Sequence, residues 1–176
     1  MSSTRTIGTD RSGRRTVGTI VASVVLVNLV GATPAVLSGP GSAWFQALEK
    51  PSLYPPPRLF GVAWTLLFAL IGVAVALVWL ADDPEARSGD SGSSPRRLAL
   101  ALFAGQMLLN VAWTPAFFAA ENLFAGLVVI AALWPAVLAT TLAFDRVDRR
   151  AALLLVPYLA WVTFAALLNY QFWRLN

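Results

Sequence analysis

The chain has no cysteine and no histidine. Their absence excludes disulfides, Cys/His zinc sites, thiolate chemistry and His-dependent nucleophilic triads within it. A haem would find no His or Cys axial ligand either. Charge is also scarce: Asp, Glu, Lys and Arg make up 12% of the residues, where soluble domains carry about 25%. The charges that exist fall between long apolar stretches and never inside them. That placement weighs against an ion- or proton-coupled pump, which buries ionisable residues along its path.

What the chain does have is hydrophobic length. Of its 176 residues 57% are hydrophobic, and a membrane-spanning helix needs about 20 apolar residues. Five stretches qualify: Thr16–Leu37, Leu59–Leu80, Leu98–Phe118, Leu123–Phe144 and Ala151–Trp173. They take up most of the chain and have no polar face, so a soluble helical protein is excluded. Continuous runs without alternation exclude a transmembrane β-barrel. The sequence therefore predicts an all-α integral membrane protein: one five-transmembrane-helix bundle over residues 16–176, preceded by a basic tail at 1–15. The basic start followed by an apolar run resembles a signal peptide. With no Ala-x-Ala site after it, the run reads as a retained first helix.

Topology follows from where the cations lie. Ten of them (Arg5, Arg11, Arg14, Arg15, Arg87, Arg96, Arg97, Arg146, Arg149 and Arg150) fall on one side of the membrane, and Lys50, Arg58 and Arg174 on the other. The positive-inside rule puts the N-terminus inside and the C-terminus outside, with the connector 39–57 on the outer face. The net charge of +4 is thus a matter of topology and calls for no nucleic-acid partner. Arg14/Arg15 and Arg96/Arg97 are placed to meet anionic headgroups. Residues 81–95, acidic then Gly/Ser-rich, read as a flexible inside loop. The turn around Glu121 and Asn122 is so short that the helices flanking it must be antiparallel neighbours. Pro115 predicts a kink, Gly61 and Gly72 predict close helix approach, and Gly31 with Pro34 predict a loosened end to the first helix. No internal repeat is present, so the inverted-repeat logic of transporters finds no support.

The outer connector is the least ordinary segment. Between Trp44 and Thr65 it gathers Trp44, Phe45, Lys50, Pro51, Leu53, Tyr54, three consecutive prolines (Pro55, Pro56, Pro57), Arg58 and Trp64. Prolines at that density stiffen a loop by fixing φ, and aromatics on such a frame make a wall for a flat apolar ligand. Residues Ala43–Leu48 predict a short helical turn within it. Polar groups at membrane depth are few: Asn28, Gln106, Asn110, Asn169, Gln171 and scattered Thr. Gln106, Asn110, Trp113 and Phe117 lie four, three and four apart and share one helix face. Phe60, Trp64, Phe68 and Gly72 form a second stripe, and Tyr158, Trp161, Ala165 and Asn169 a third. The Asn and Gln residues serve either as interhelical hydrogen bonds or as pocket lining, and spacing does not choose between these. Trp79, Trp134 and Trp173 sit near span ends, where an interfacial aromatic belt is the simpler reading. Leu168, Tyr170 and Arg174 satisfy a loose pattern proposed for cholesterol contact, although Tyr170 and Arg174 also suit an interfacial anchor. Ala101 and Gly105 form a small-xxx-small pair suited to packing against a second copy.

These motifs together resemble the TspO/MBR family, the tryptophan-rich sensory proteins whose animal members are translocator proteins or peripheral benzodiazepine receptors. The resemblance rests on Trp44-x-x-x-Leu48-x-Lys50-Pro51, Pro55-Pro56, Phe60-Gly61 and Trp64-Thr65. It continues through Gly105-Gln106, Asn110-x-x-Trp113-x-Pro115-x-Phe117-Phe118, Pro157-Tyr158-Leu159-x-Trp161, Leu168-Asn169 and Trp173-Arg174-x-Asn176. It implies a five-helix bundle, often dimeric, with a ligand pocket under the first connector. The implied ligands are porphyrins such as protoporphyrin IX, sterols, and benzodiazepine-site drugs, held as ligands and not as cofactors. By position, Trp64 and Trp161 match tryptophans implicated in porphyrin photochemistry, Asn110 and Asn169 match polar pocket residues, and Trp44 with Phe45 match the aromatic pair at the loop side. Three positions depart from the family: Leu53 stands where Trp is common, and Phe45 and Phe68 where Tyr is common.

The candidate ligand-binding set is thus Trp44, Phe45, Leu53, Trp64, Phe68, Gln106, Asn110, Trp113, Trp161, Ala165 and Asn169, with no metal site and no catalytic residue unless Trp64 and Trp161 act photochemically. The leading expectation is a receptor or sensor for tetrapyrroles and related flat molecules, in a homodimer embedded in lipid. Light- and oxygen-dependent porphyrin breakdown, a porphyrin or lipid carrier, and a packing scaffold are the alternatives. No general acid, base or nucleophile stands out in the spans. The alanine- and arginine-rich composition suggests a bacterial cell membrane.

Overall fold

The computed structural model describes residues 6–82 and 94–176, with side chains from residue 13 onward. Most of the loop predicted at 81–95 therefore lies outside the described residues, as do Arg5, Arg87 and the side chain of Arg11. The elements are α1 (Thr6–Leu37), α2 (Ala43–Ala47), α3 (Pro57–Leu80), α4 (Pro95–Thr114) with a π-helical turn at Pro115–Ala119, α5 (Leu123–Asp145) and α6 (Arg149–Leu175). Five helical segments are long and apolar enough to cross a membrane, and there is no strand among the described residues. The protein is a multi-pass helical membrane protein.

Each helix begins where the local chemistry allows it. Ser42 caps α2 by accepting from the Phe45 amide at 3.2 Å, and Ser94 does the same for α4 through Arg97 N at 3.2 Å. Asn122 accepts from Ala125 N at 2.9 Å to start α5, and Asp148 from Arg150 N at 2.8 Å to start α6. Pro57 and Pro95 occupy the first turns of α3 and α4, where a missing N–H costs nothing.

Three expectations need correction. The basic segment at 1–15 is not all tail: α1 starts at Thr6 and runs 32 residues, longer than the apolar core requires. Once the buried part of a helix is nucleated, propagation into polar sequence is cheap. Nor is the outer end of α1 loosened at Gly31 and Pro34, since the helix continues to Leu37. Gly31 instead makes room for the Phe68 ring, whose Cζ would lie 2.2 Å from a Cβ there. Lower on the same seam, a Cβ on Gly72 would meet Val24 Cα at 2.5 Å, so α1 and α3 touch backbone to backbone. Gly61, by contrast, has nothing within 4 Å of a would-be Cβ and supports no close approach.

Around the bundle, α1 packs on α3, α3 on α6, α6 on α5 and α5 on α4, with a thinner seam from α4 back to α1. At Pro115 the sequence predicts a kink, and the structure places a π turn there, closed by Ala120 N donating to Pro115 O at 2.9 Å. The extra residue per turn brings Phe117 into the core while Phe118 packs edge-on against it, 4.7 Å between centroids. Glu121, at φ 50°, ends the turn, and Asn122 starts the next helix.

The packing divides into two clusters. One, built from Ile71, Ala74, Val78, Ala99, Ala143, Phe144, Ala151, Leu155 and their neighbours, runs down the bundle away from the loop. The other gathers Phe45, Phe117, Leu168 and Phe172 under α2. Between them lies a cavity.

Candidate functional site

The cavity has a volume of about 390 Å³, within the range of small-molecule sites. Its roof is made by Phe45 of α2, Tyr54 of the Pro-rich loop and Phe172 of α6, which contact one another at 5.5–6.1 Å between centroids. Phe117 and Phe118 close the side below Phe45. The walls are Phe60, Trp64 and Phe68 from α3, Trp113 from α4, Ile130 and Leu133 from α5, and Trp161, Ala165 and Asn169 from α6. The rings are locked by mutual geometry. Trp64 stacks on Phe68 at 5.1 Å and stands at 81° to Trp161 at 6.3 Å, while Trp113 stacks on Phe117 at 5.1 Å. Rings fixed at such angles cannot collapse into the space between them, which is why it stays open.

The polar groups in and behind these walls are largely committed to one another. Asn110 Nδ2 donates to Tyr158 Oη at 2.9 Å, and Tyr158 Oη donates to Gln106 Oε1 at 2.9 Å, all three side chains being buried. Asn169 Oδ1 accepts from Trp113 Nε1 at 3.2 Å, and Asn169 Nδ2 donates to Leu123 O at 2.9 Å, where α5 begins. One buried donor stands apart: Trp161 Nε1 has no hydrogen-bond partner among the described residues. Among the described residues, no acidic or basic side chain lines the space. Lys50 is close by. Its ammonium donates to the carbonyls of Phe45 and Leu48, ending α2, and sits 4.4 Å from the Phe45 ring centroid. Burial raises the Tyr54 phenol above its ordinary pKa. No group of acidic side chains able to hold a metal ion exists among the described residues.

Of the sequence candidates, Phe45, Trp64, Phe68, Asn110, Trp113, Trp161, Ala165 and Asn169 come together around the cavity. Three do not. Gln106 is 1% exposed and spends its carbonyl on Tyr158, one turn below the lining. Trp44 packs behind the roof, edge-on to Phe117 at 6.0 Å. Leu53 points outward and is 49% exposed. The cholesterol-type residues do not share a surface: Leu168 is buried and lines the cavity, whereas Tyr170 is exposed, with Arg174 donating to its hydroxyl at 3.2 Å. Two residues apart on a helix are about 200° apart in azimuth, so the pattern splits across two faces. Ala101 and Gly105 lie exposed on α4, with open space beyond Gly105. Trp134, read as part of the belt, donates to Thr163 on α6 at 2.8 Å.

The sequence reading missed Phe172 and Phe118 as lining, and Tyr158 as the centre of the buried network. The signal for Phe172 was present, since Ala165, Leu168, Asn169 and Phe172 fall on one stripe with steps of three, one and three.

This is a neutral, aromatic-walled chamber inside a membrane bundle, roofed by a Pro-rich loop. Residues 22–174 match the sequence pattern of the TspO/MBR family, and the chain belongs to that family. It is 43% identical over 147 residues to protein CrtK of Rhodobacter capsulatus, covering 83% of this chain and 85% of that one. It is 40% identical over 141 residues to the tryptophan-rich protein TspO of Chlorobaculum tepidum, covering 78% and 82% of the two chains. The human translocator protein is 38% identical over 138 residues, covering 78% of each.

Proposed function

We propose that this protein is a membrane receptor or sensor that binds flat hydrophobic molecules, tetrapyrroles of the protoporphyrin IX type or sterols, in the cavity beneath the Pro-rich loop. The observation that carries the reading is the chamber itself: apolar, ring-walled, lined by no acidic or basic side chain among the described residues, with Asn110 and Asn169 held in fixed orientations. The names of its relatives, tryptophan-rich sensory protein and translocator protein, fit a receptor or sensor role. The rim residues that are also exposed, Ala32, Ala35 and Val36 of α1 with Gly61 and Thr65 of α3, lie on the side of the bundle at the loop end. A ligand larger than the closed cavity would extend through that rim. In the same reading the protein sits in a bacterial cell membrane with its N-terminus inside, and a homodimer forms through the open α4 face at Ala101 and Gly105.

The test is a dark titration of purified protein with protoporphyrin IX, followed by tryptophan fluorescence, beside Trp64→Phe and Trp161→Phe. Saturable quenching that weakens in both variants supports the chamber. Linear quenching indifferent to both means partition into the detergent and ends the tetrapyrrole assignment. Porphyrin breakdown is a second reading, favoured by the edge-to-face Trp64–Trp161 pair and the unpaired Trp161 Nε1. It requires a new product spectrum from bound porphyrin under light and oxygen, and without one it fails.

A further inference from the structure

The roof of the chamber is a connector, residues 38–56, and a connector that must hold rings at a fixed depth needs an anchor. Part of its order is internal. Ser42 caps α2, Gln46 Nε2 donates to Pro40 O at 2.8 Å, Tyr54 N donates to Pro51 O at 2.9 Å, and Lys50 closes the far end of α2. These bonds shape the connector but do not place it on the bundle. Ring contacts seat Phe45 and Tyr54 against the bundle, but they match no donor to an acceptor between the connector and a helix end. That register comes from a two-point hydrogen-bonded pairing. Asn176 Oδ1 accepts from Glu49 N at 2.8 Å, and Asn176 Nδ2 donates to Glu49 O at 3.2 Å, joining positions 127 residues apart. A side-chain amide here reads a backbone peptide as a strand edge would, matching donor to acceptor and acceptor to donor. The same Nδ2 donates to Phe172 O at 3.1 Å, so the clamp is registered to the turn of α6 that carries a roof ring.

We propose that Asn176 is a positioning residue of the cavity: its carboxamide pins Glu49, and through α2 it sets the seat of Phe45 and Tyr54 over a bound ligand. The proposal rests on the cavity being the ligand site. Asn176 lies outside the lining and is exposed, so its removal leaves the walls and the helix packing in place. Its effect falls on how often the roof lifts, and hence on how long a ligand stays.

Two readouts test this in the full-length protein. Hydrogen exchange on ligand-free protein compares residues 43–54 with residues 123–145 as an internal reference. Stopped-flow mixing measures the dissociation rate of protoporphyrin IX. In Asn176→Ala, exchange over 43–54 and porphyrin dissociation should each rise roughly tenfold, as expected for losing one to two hydrogen bonds of ordinary net strength. Exchange over 123–145 should not change. Asn176→Asp keeps the acceptor but sets a carboxylate against the Glu49 carbonyl, and should fall close to Asn176→Ala. Asn176→Gln, which retains both functions on a longer arm, should recover part of the loss. Unchanged exchange over 43–54 in Asn176→Ala overturns the proposal, as does faster roof exchange with an unchanged dissociation rate. If the wild-type chain does not bind porphyrin at all, the ligand reading falls, and the exchange comparison still decides whether Asn176 holds the roof.

Discussion

The two ends of this bundle are built from different residues and behave as different materials. Away from the loop, α1, α3, α4, α5 and α6 meet through Gly72, Ala74, Ala76, Val78, Ala99, Ala143, Ala151 and Ala152, mostly small side chains that let backbones approach. Toward the loop α3, α4 with its π turn, and α6 carry Phe60, Trp64, Phe68, Trp113, Phe117, Trp161 and Phe172, rings that brace one another and hold a chamber of about 390 Å³ open. Small residues make the far end a frame, and large residues make the loop end hollow. Packing at the far end should therefore dominate stability, while substitutions at the loop end should act mainly on binding.

The largest effect should come from placing a side chain in the tightest seam of the solid end. Gly72→Leu drives its side chain into the backbone of Val24, and should cost about 3 kcal/mol or more in thermal unfolding. Gly61→Leu, on the same helix but at the hollow end, meets open space and should stay within about 0.5 kcal/mol of wild type. Equal costs at the two glycines would erase the distinction between the ends.

Next in size is the network where the two regions join. Tyr158→Phe removes the hydroxyl that accepts from Asn110 and donates to Gln106, leaving two buried polar groups unpaired. A loss of about 1–3 kcal/mol in the same unfolding measurement is expected. A smaller change belongs to Trp161→Phe, which removes a donor that has no partner. Its unfolding should shift by less than about 1 kcal/mol, whereas ligand affinity should drop by about 0.5–1.5 kcal/mol as the ring contact is reduced. A variant that lost stability and kept its affinity would place Trp161 in the frame and not the chamber.

The smallest effect concerns pH. Tyr54 has a folded-state pKa raised by burial, so the neutral phenol favours the folded roof. That contribution is full below the unfolded value near pH 10 and is lost as pH rises through the folded value. Stability and the roof's protection against exchange, taken relative to the free amide rate at each pH, should be flat through neutral pH and weaken only in strong alkali, and Tyr54→Phe should remove the alkaline change.

The difference between the ends also explains what the sequence revealed and what it did not. Charge-free runs of spanning length predict the five transmembrane helices, because lipid enforces that signal residue by residue. The short helix in the loop is legible as well, since Ser42 stands where an N-cap belongs. The start of α1 is not, because the residues before Thr16 carry no apolar periodicity. The chamber is only half legible. Aromatic stripes on α3, α4 and α6 mark which faces point inward, and Trp64, Trp113 and Trp161 follow from them. Gln106 and Asn110 carry the same signature on the same face, yet Gln106 lies behind Tyr158 and Asn110 lines the cavity. The choice depends on a hydroxyl 48 and 52 residues away in the chain, which spacing along one helix cannot show. Trp44 and Leu53 mislead in the same way, because a loop has no period from which to read direction.

The most direct measurement is ¹⁹F NMR of protein carrying 5-fluorotryptophan at its seven tryptophans, titrated with protoporphyrin IX in the dark. The account predicts that the resonances of Trp64, Trp113 and Trp161 shift saturably and together, while that of Trp79, exposed at the far end of α3, stays in place. Uniform, unsaturable shifts at all seven, or a saturable response centred on Trp79, would contradict the claim that the hollow end is the binding site.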